Sequence, residues 1–271
     1  MLKTYLTALF ILLGATRLSA IENHPSGARP FALSNAIISI SDPWSTFHNQ
    51  ATLTGISAFT AGFYYESRFL IDELSLASGT IVLPLKKGVF GFSYSQFGKG
   101  TYKENKAGLA FAMMLSEKLG ASVQFDYFSQ RLPENENAFG FATFETGLVY
   151  HFNKNLHFGA HIFNPIKAGI ETTEGKQQMP FSLRLGTHYS FAGNILISFE
   201  AGKTAGYNWI YRSGIEFEPV KNFVLRAGVS GRPVNITTGI GFRTGKIVSD
   251  IGFGYHANLG ITPAVSIQFE L

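Results

Sequence analysis

From Ile56 to the last residue, apolar side chains recur at every second position in blocks of roughly ten residues. A period of two puts successive side chains on opposite faces of a strand, so each block has one apolar face and one polar, glycine-rich face. Phe181, Leu183, Leu185, Tyr189 and Phe191 interleave with Ser182, Arg184, Gly186, His188 and Ser190, and Thr187 alone breaks the pattern. Phe223, Leu225, Ala227 and Val229 alternate with Val224, Arg226, Gly228 and Ser230. The last block sets Val265, Ile267, Phe269 and Leu271 against Ser266, Gln268 and Glu270.

A soluble sandwich turns such apolar faces inward, whereas an outer-membrane barrel turns them to lipid. Composition favours the barrel, since only 15% of the residues are charged, against about 25% in an ordinary soluble domain. A helical membrane protein needs apolar stretches of about 20 residues, and only the N-terminus approaches that. Aromatic residues near strand ends (Phe181, Tyr189, Trp209, Phe217, Tyr255, Phe269) fit interfacial girdles. The net charge of +4 is small and part of it sits in Lys3 and Arg17, so nothing points to a nucleic-acid partner. With no cysteine, disulfide and thiolate chemistry are excluded.

Loop lengths discriminate further. The pattern gives about 14 strands, starting near residues 57, 73, 88, 106, 119, 141, 155, 181, 194, 209, 222, 234, 246 and 262. Connections after even-numbered strands are tight, as at Lys86-Lys87-Gly88, Asn153-Lys154-Asn155, Ala192-Gly193 and Thr244-Gly245. Those after odd-numbered strands are mostly longer, notably Phe97–Asn105, Gln130–Ala138 and Asn164–Pro180, with Gly231-Arg232-Pro233 the short exception. Short periplasmic turns and longer outer loops are how outer-membrane barrels are built. The fold class expected is therefore an all-β transmembrane antiparallel barrel of about 14 strands. An even count leaves both chain ends on the turn side.

Before the strands, Lys3, the apolar run Tyr5–Leu13 and the small residue at Leu18-Ser19-Ala20 have the form of a signal peptide, residues 1–20. The segment Gly27–Leu53 does not alternate. It is broken by Asp42-Pro43 and ends polar at Asn49-Gln50. We read 21–55 as an insert in the barrel lumen, entering from the periplasmic side, and 56–271 as the barrel. The inward glycines of the later strands make room for it. The inward charges Arg184, Glu200, Arg212, Glu216, Arg226 and Asp250 alternate in sign, which allows cross-strand pairs that knit the wall and hold the insert.

No catalytic, metal or cofactor site is expected. His157 and His161 share a strand face, with His151 on the strand before. Four residues along a strand separate side chains by roughly 13 Å, too far for one ion. His188-Tyr189-Ser190 pairs a base and a hydroxyl on the polar face, without an evident orienting group.

The segment Gly27-Ala28-Arg29, Leu33-Ser34-Asn35-Ala36, Asp42, Asn49-Gln50-Ala51 and Leu53 resembles the opening signature of the PorV/PorQ-type proteins of the type IX secretion system. In that family Gly is usual where Ser34 stands, and Pro where Gln50 stands. Later stretches, such as Pro180–Gly186, Arg212–Glu216 and Leu225–Val229, are also similar. The resemblance implies a Bacteroidota-type outer membrane and a 14-stranded barrel related to the FadL transporters. It also implies a non-enzymatic component associated with protein secretion, with other outer-membrane or secretion proteins as partners. The alternative is a FadL-like passive transporter of small hydrophobic compounds; a third is a structural subunit of another outer-membrane complex.

Overall fold

The computed structural model describes residues 23–100, 102–131, 139–172, 175–231 and 234–271, and for 171, 172 and 175–177 the backbone alone. The expected signal peptide, most of Gln130–Ala138 and Arg232-Pro233 lie outside these residues.

The alternating blocks form strands β1 (Thr60–Ser67), β2 (Ser75–Leu85), β3 (Gly88–Phe97), β4 (Lys103–Met114), β5 (Leu119–Arg131), β6 (Phe139–His151) and β7 (Leu156–Phe163). After an interposed hairpin, β8 (Gly169–Thr172) with β9 (Gly175–Gln178), the wall resumes with β10 (Ser182–Phe191), β11 (Ile195–Thr204) and β12 (Ile210–Val220). It ends with β13 (Phe223–Ser230), β14 (Asn235–Thr244), β15 (Ile247–His256) and β16 (Gly260–Glu270). Fourteen of these strands make one closed antiparallel barrel, each beside its sequence neighbour, with β7 joined to β10 and β16 closing on β1.

The expected strand starts at 88 and 119 coincide with those of β3 and β5, and the first strand begins at Thr60 rather than near 57. The hairpin β8–β9 within Asn164–Pro180 was not expected. It lies outside the wall register as a separate two-stranded sheet. Its base is pinned by Asn164, whose amide donates to the carbonyls of Ala168 (3.1 Å) and Met179 (2.6 Å).

The apolar faces point out of the barrel. Phe63, Leu109, Phe125, Phe199, Tyr211 and Ile261 are each at least half exposed on the outer wall. A continuous apolar belt of this extent on a soluble protein would be an aggregation surface; in a bilayer it is the solvent-facing side. The inward positions are instead mostly polar or small, buried along β5 and β6 and buried or half-buried along β10–β13.

What buries them is the N-terminal segment. It contains one short helix, α1 (Ala28–Ala32), and two 3-10 turns, Pro43–Phe47 and Gln50–Gly55. Trp44, Phe47, Leu33, Ile37, Ile38 and Leu53 are fully buried, so the molecule has its core inside the lumen and between insert and wall. The junction with β1 lies at the short-turn end, as parity requires. The other end of the insert lies across the barrel: His24 Nε2 meets Glu104 Oε2 at 2.9 Å, and Glu104 stands at the long-loop end of β4. The insert therefore spans the lumen from end to end. A register count locates the junction at the turn end and not the insert's opposite end, which lies at the loop end.

Candidate functional site in the barrel lumen

The residues of the N-terminal signature build the insert's turns. Asp42 and Asn49 each cap a 3-10 turn: Asp42 Oδ1 accepts from the Trp44 amide at 2.8 Å, and Asn49 Oδ1 from the Ala51 amide at 3.2 Å. Asn49 also reaches the wall, donating to the carbonyl of Leu148 at 3.0 Å. Gly27 takes φ 108° beneath the Trp44 ring, a backbone state in which only glycine is unstrained. Ala28 and Ala51 are buried without exposed surface. Ser34 and Asn35 both have positive φ, 51° and 61°. Glycine would suit position 34, which is where the resembled family carries it. Here Ser34 takes the strained state while its hydroxyl meets Thr237 Oγ1 at 2.8 Å. Gln50 opens the second turn, a place proline fits well, and its amide instead donates to Glu145 at 2.8 Å.

The charges named from the sequence divide into two groups. Towards the turn end, Arg29 of α1 grips Glu216 with two nitrogens at 2.8 and 2.9 Å and donates to Asp42 at 3.0 Å. Arg226 donates to the same Glu216 at 2.6 Å and to Asp250 at 2.7 Å. Higher in the barrel, Arg184 forks onto Glu200 (2.7 and 2.9 Å) and donates to the Asn35 carbonyl at 2.9 Å, while Arg212 donates to Glu200 at 3.1 Å. Two guanidinium groups thus share one carboxylate, and this part of the lumen is net cationic.

A third cluster was not assembled from the sequence. Lys106 lies 3.5 Å from Asp126, pairs with Glu145, and donates to Asn23 Oδ1 at 3.0 Å. His161 Nε2 joins Glu145 Oε2 at 2.8 Å. All four ionisable groups are buried. The available signal was the inward parity of Lys106 on β4, facing Asp126 and Glu145 across two strands. The pair His188 and Ser190 is not assembled: His188 Nδ1 meets Ser39 Oγ of the insert at 3.0 Å.

Among the described residues, cavities remain around the insert. One at the loop end, about 300 Å³, combines Phe47, Phe163, Met179 and Ile210 with Arg184 and Arg212. A second, about 280 Å³, lies between Phe31, Arg68, Phe69 and His256. A polar one of about 290 Å³ faces the turn end, beside Arg29, Asp42, Glu216 and Asp250. On the outer wall, an apolar groove of about 670 Å³ runs over Gly159 and Gly186 between Leu148, Phe158, Leu185 and Phe199.

A closed antiparallel barrel with an apolar outer wall and a plugged, charged lumen is an outer-membrane barrel. More narrowly, its fold is FadL-like. It is similar to the CymD monoaromatic hydrocarbon channel (TM-score 0.71, 14% identity, covering 93% of this chain and 99% of that one). It is also similar to the Ralstonia pickettii toluene transporter TbuX (TM-score 0.68, 12% identity, 90% and 98%). A Pseudomonas aeruginosa FadL homologue matches with TM-score 0.66 and 12% identity over 91% and 99% of the two chains. No protein-family model and no curated protein sequence matches the chain.

Proposed function

We propose that this protein is a passive outer-membrane transporter of small hydrophobic compounds, and that the loop-end cavity is where they first bind. The observation that carries the reading is the lining of that cavity. Apolar walls from Phe47, Phe163, Met179 and Ile210 meet the paired guanidinium groups of Arg184 and Arg212. Such a site suits a compact apolar body with an electron-rich or acidic end. The structural relatives named as hydrocarbon channel and toluene transporter support the same reading.

The strands close into one barrel and the insert spans its lumen, so passage requires part of the insert to move aside. The part that moves is the segment Pro43–Gly55, beside which Ser93 Oγ, Ser122 Oγ and Gln124 Oε1 are buried without a partner in the chain. Ser182 lies on the loop-end cavity, and Ser182→Trp fills it without touching the insert's ion pairs. Uptake of a small aromatic compound into proteoliposomes should fall to the level of empty vesicles in that variant. Unchanged uptake would remove the cavity from the route.

A role beside a type IX secretion complex is the second reading, and the signature from Gly27 to Leu53 is what favours it. It predicts co-purification with secretion components from native membranes and periplasmic retention of cargo on deletion. Normal secretion in a deletion strain lacking redundant homologues would end it.

A further inference from the structure

Three histidines meet at the short-turn end of the lumen. His151 on β6 is the register partner of His157 on β7, and His157 is in turn the register partner of His188 on β10. They form one row across three adjacent strands, all on the inward face. The ring centroids of His151 and His157 are 4.8 Å apart, and His157 stacks on His188 at 4.6 Å. Among the described residues, none of the three forms an ion pair with a carboxylate.

The nitrogens are arranged unequally. His151 Nδ1 and His157 Nδ1 share a hydrogen bond at 2.6 Å, and an ion that takes the place of its proton leaves that proton on His151 Nε2. On the far side of its ring, His157 Nε2 points at the Lys154 carbonyl at 3.4 Å. A histidine that donates one N–H to a backbone carbonyl keeps the other nitrogen as a lone-pair donor, the orientation usual for metal-binding imidazoles. Two imidazole nitrogens at about 2.05 Å from one ion and 90° apart would be about 2.9 Å from each other. The observed separation needs to open only by a few tenths of an ångström. A tetrahedral ion would ask for about 3.3 Å and fits less well.

We infer that His151 and His157 form a two-imidazole site for a tetragonal divalent transition ion, copper(II) above the others, at the turn-end mouth of the barrel. Copper(II) follows from the near-right-angled bite, from the imidazole donors, and from its place at the top of the divalent affinity order. Among the described residues no three His, Cys, Asp or Glu side chains converge on one point, so water or a small solute ligand completes the coordination. His188 does not bind the ion. It backs the His157 ring while its Nδ1 is held by Ser39, which places the site against the insert.

The test is a copper(II) titration of the folded, detergent-solubilised barrel, purified without a histidine tag and followed by electron paramagnetic resonance. One saturable ion per barrel with two equatorial nitrogens is expected. His151→Asn and His157→Asn should each weaken binding by at least about tenfold and remove the two-nitrogen pattern. His256→Asn, at the opposite rim, should change neither. Heat-modifiable gel mobility reports whether each variant barrel is folded. The wild-type nitrogen count decides even if a variant misfolds: no saturable site, or a count other than two, overturns the assignment. So does a two-nitrogen site that survives the double substitution.

Discussion

The two halves of the insert are held by different physics. The first, α1 and the residues after it, lies against β12–β15 with its backbone nearly touching the wall. A Cβ on Gly228 would stand 2.6 Å from the backbone of Leu33 and Ser34, and one on Gly239 2.6 Å from the Ala32 side chain. Charge then fixes its position through Arg29, Glu216, Arg226 and Asp250. The second half, Pro43–Gly55, lies against β1–β6 and relies on two capped turns, a core of Trp44, Phe47 and Leu53, and side-chain hydrogen bonds. Among the described residues, Gln50 Oε1, Ser93 Oγ, Ser122 Oγ, Gln124 Oε1, Asp126 Oδ2 and His161 Nδ1 are buried on that side without a partner in the chain. Beside the first half, among the described residues, Asp250 Oδ2 is in that position, and so is Trp44 Nε1 where its ring lies over Gly27. The lesson is that one insert can be anchored at one end and less completely satisfied at the other. That is what a plug needs if it is to yield without leaving.

The strongest way to break this comparison is to lock each half in turn. The chain has no cysteine, so an introduced pair has no competitor. Thr46 and Thr80 hydroxyls lie 2.9 Å apart, and Ser34 and Thr237 hydroxyls 2.8 Å apart. Oxidised Thr46→Cys/Thr80→Cys should abolish uptake, with recovery on reduction, whereas Ser34→Cys/Thr237→Cys should leave it near wild type. Equal loss from both locks would mean that the insert moves as one body.

Lys106→Met comes next. It leaves Asp126 and Glu145 buried with no lysine between them, and removing one partner of a buried ion pair typically costs about 3–5 kcal/mol. Urea unfolding of the refolded barrel in detergent should show it, and a change below about 1 kcal/mol would contradict the cluster. Arg29→Ala should cost less, about 2–3 kcal/mol, because the arginine keeps some contact with solvent at the turn-end cavity. Its loss should also speed proteolysis of the insert, which distinguishes a released plug from a weakened wall. Smallest is Gln50→Pro. The first position of a helical turn accepts proline, and what is lost is one hydrogen bond to Glu145, so the unfolding free energy should shift by about 1 kcal/mol or less.

The wall was legible because its signals are local. Alternation of two fixes which face of each strand is apolar, and tight turns such as Ala192-Gly193 fix where strands reverse. Ala192 and Gly193 both take positive φ there. The lumen was only half legible. Arg184, Glu200 and Arg212 sit on consecutive strands, so their meeting follows from hairpin register alone. Arg29 with Glu216 joins positions 187 residues apart, and no periodicity announces it. The histidines show the same limit. His151 and His157 flank one turn, but His188 reaches them only because β8–β9 is excluded from the wall and β10 pairs with β7.

The sequence by itself determined a barrel with its apolar face outward, a strand number of about 14 and the end at which its tight turns lie. These depend on the two-residue period and on backbone reversals, which short stretches encode. Only the tertiary structure decided what the stretch from Gly27 to Leu53 does inside. It spans the lumen, with one end bound by charge to β12–β15 and the other set among partly unpaired polar groups. Those contacts arise only when barrel closure brings distant inward faces around a common axis.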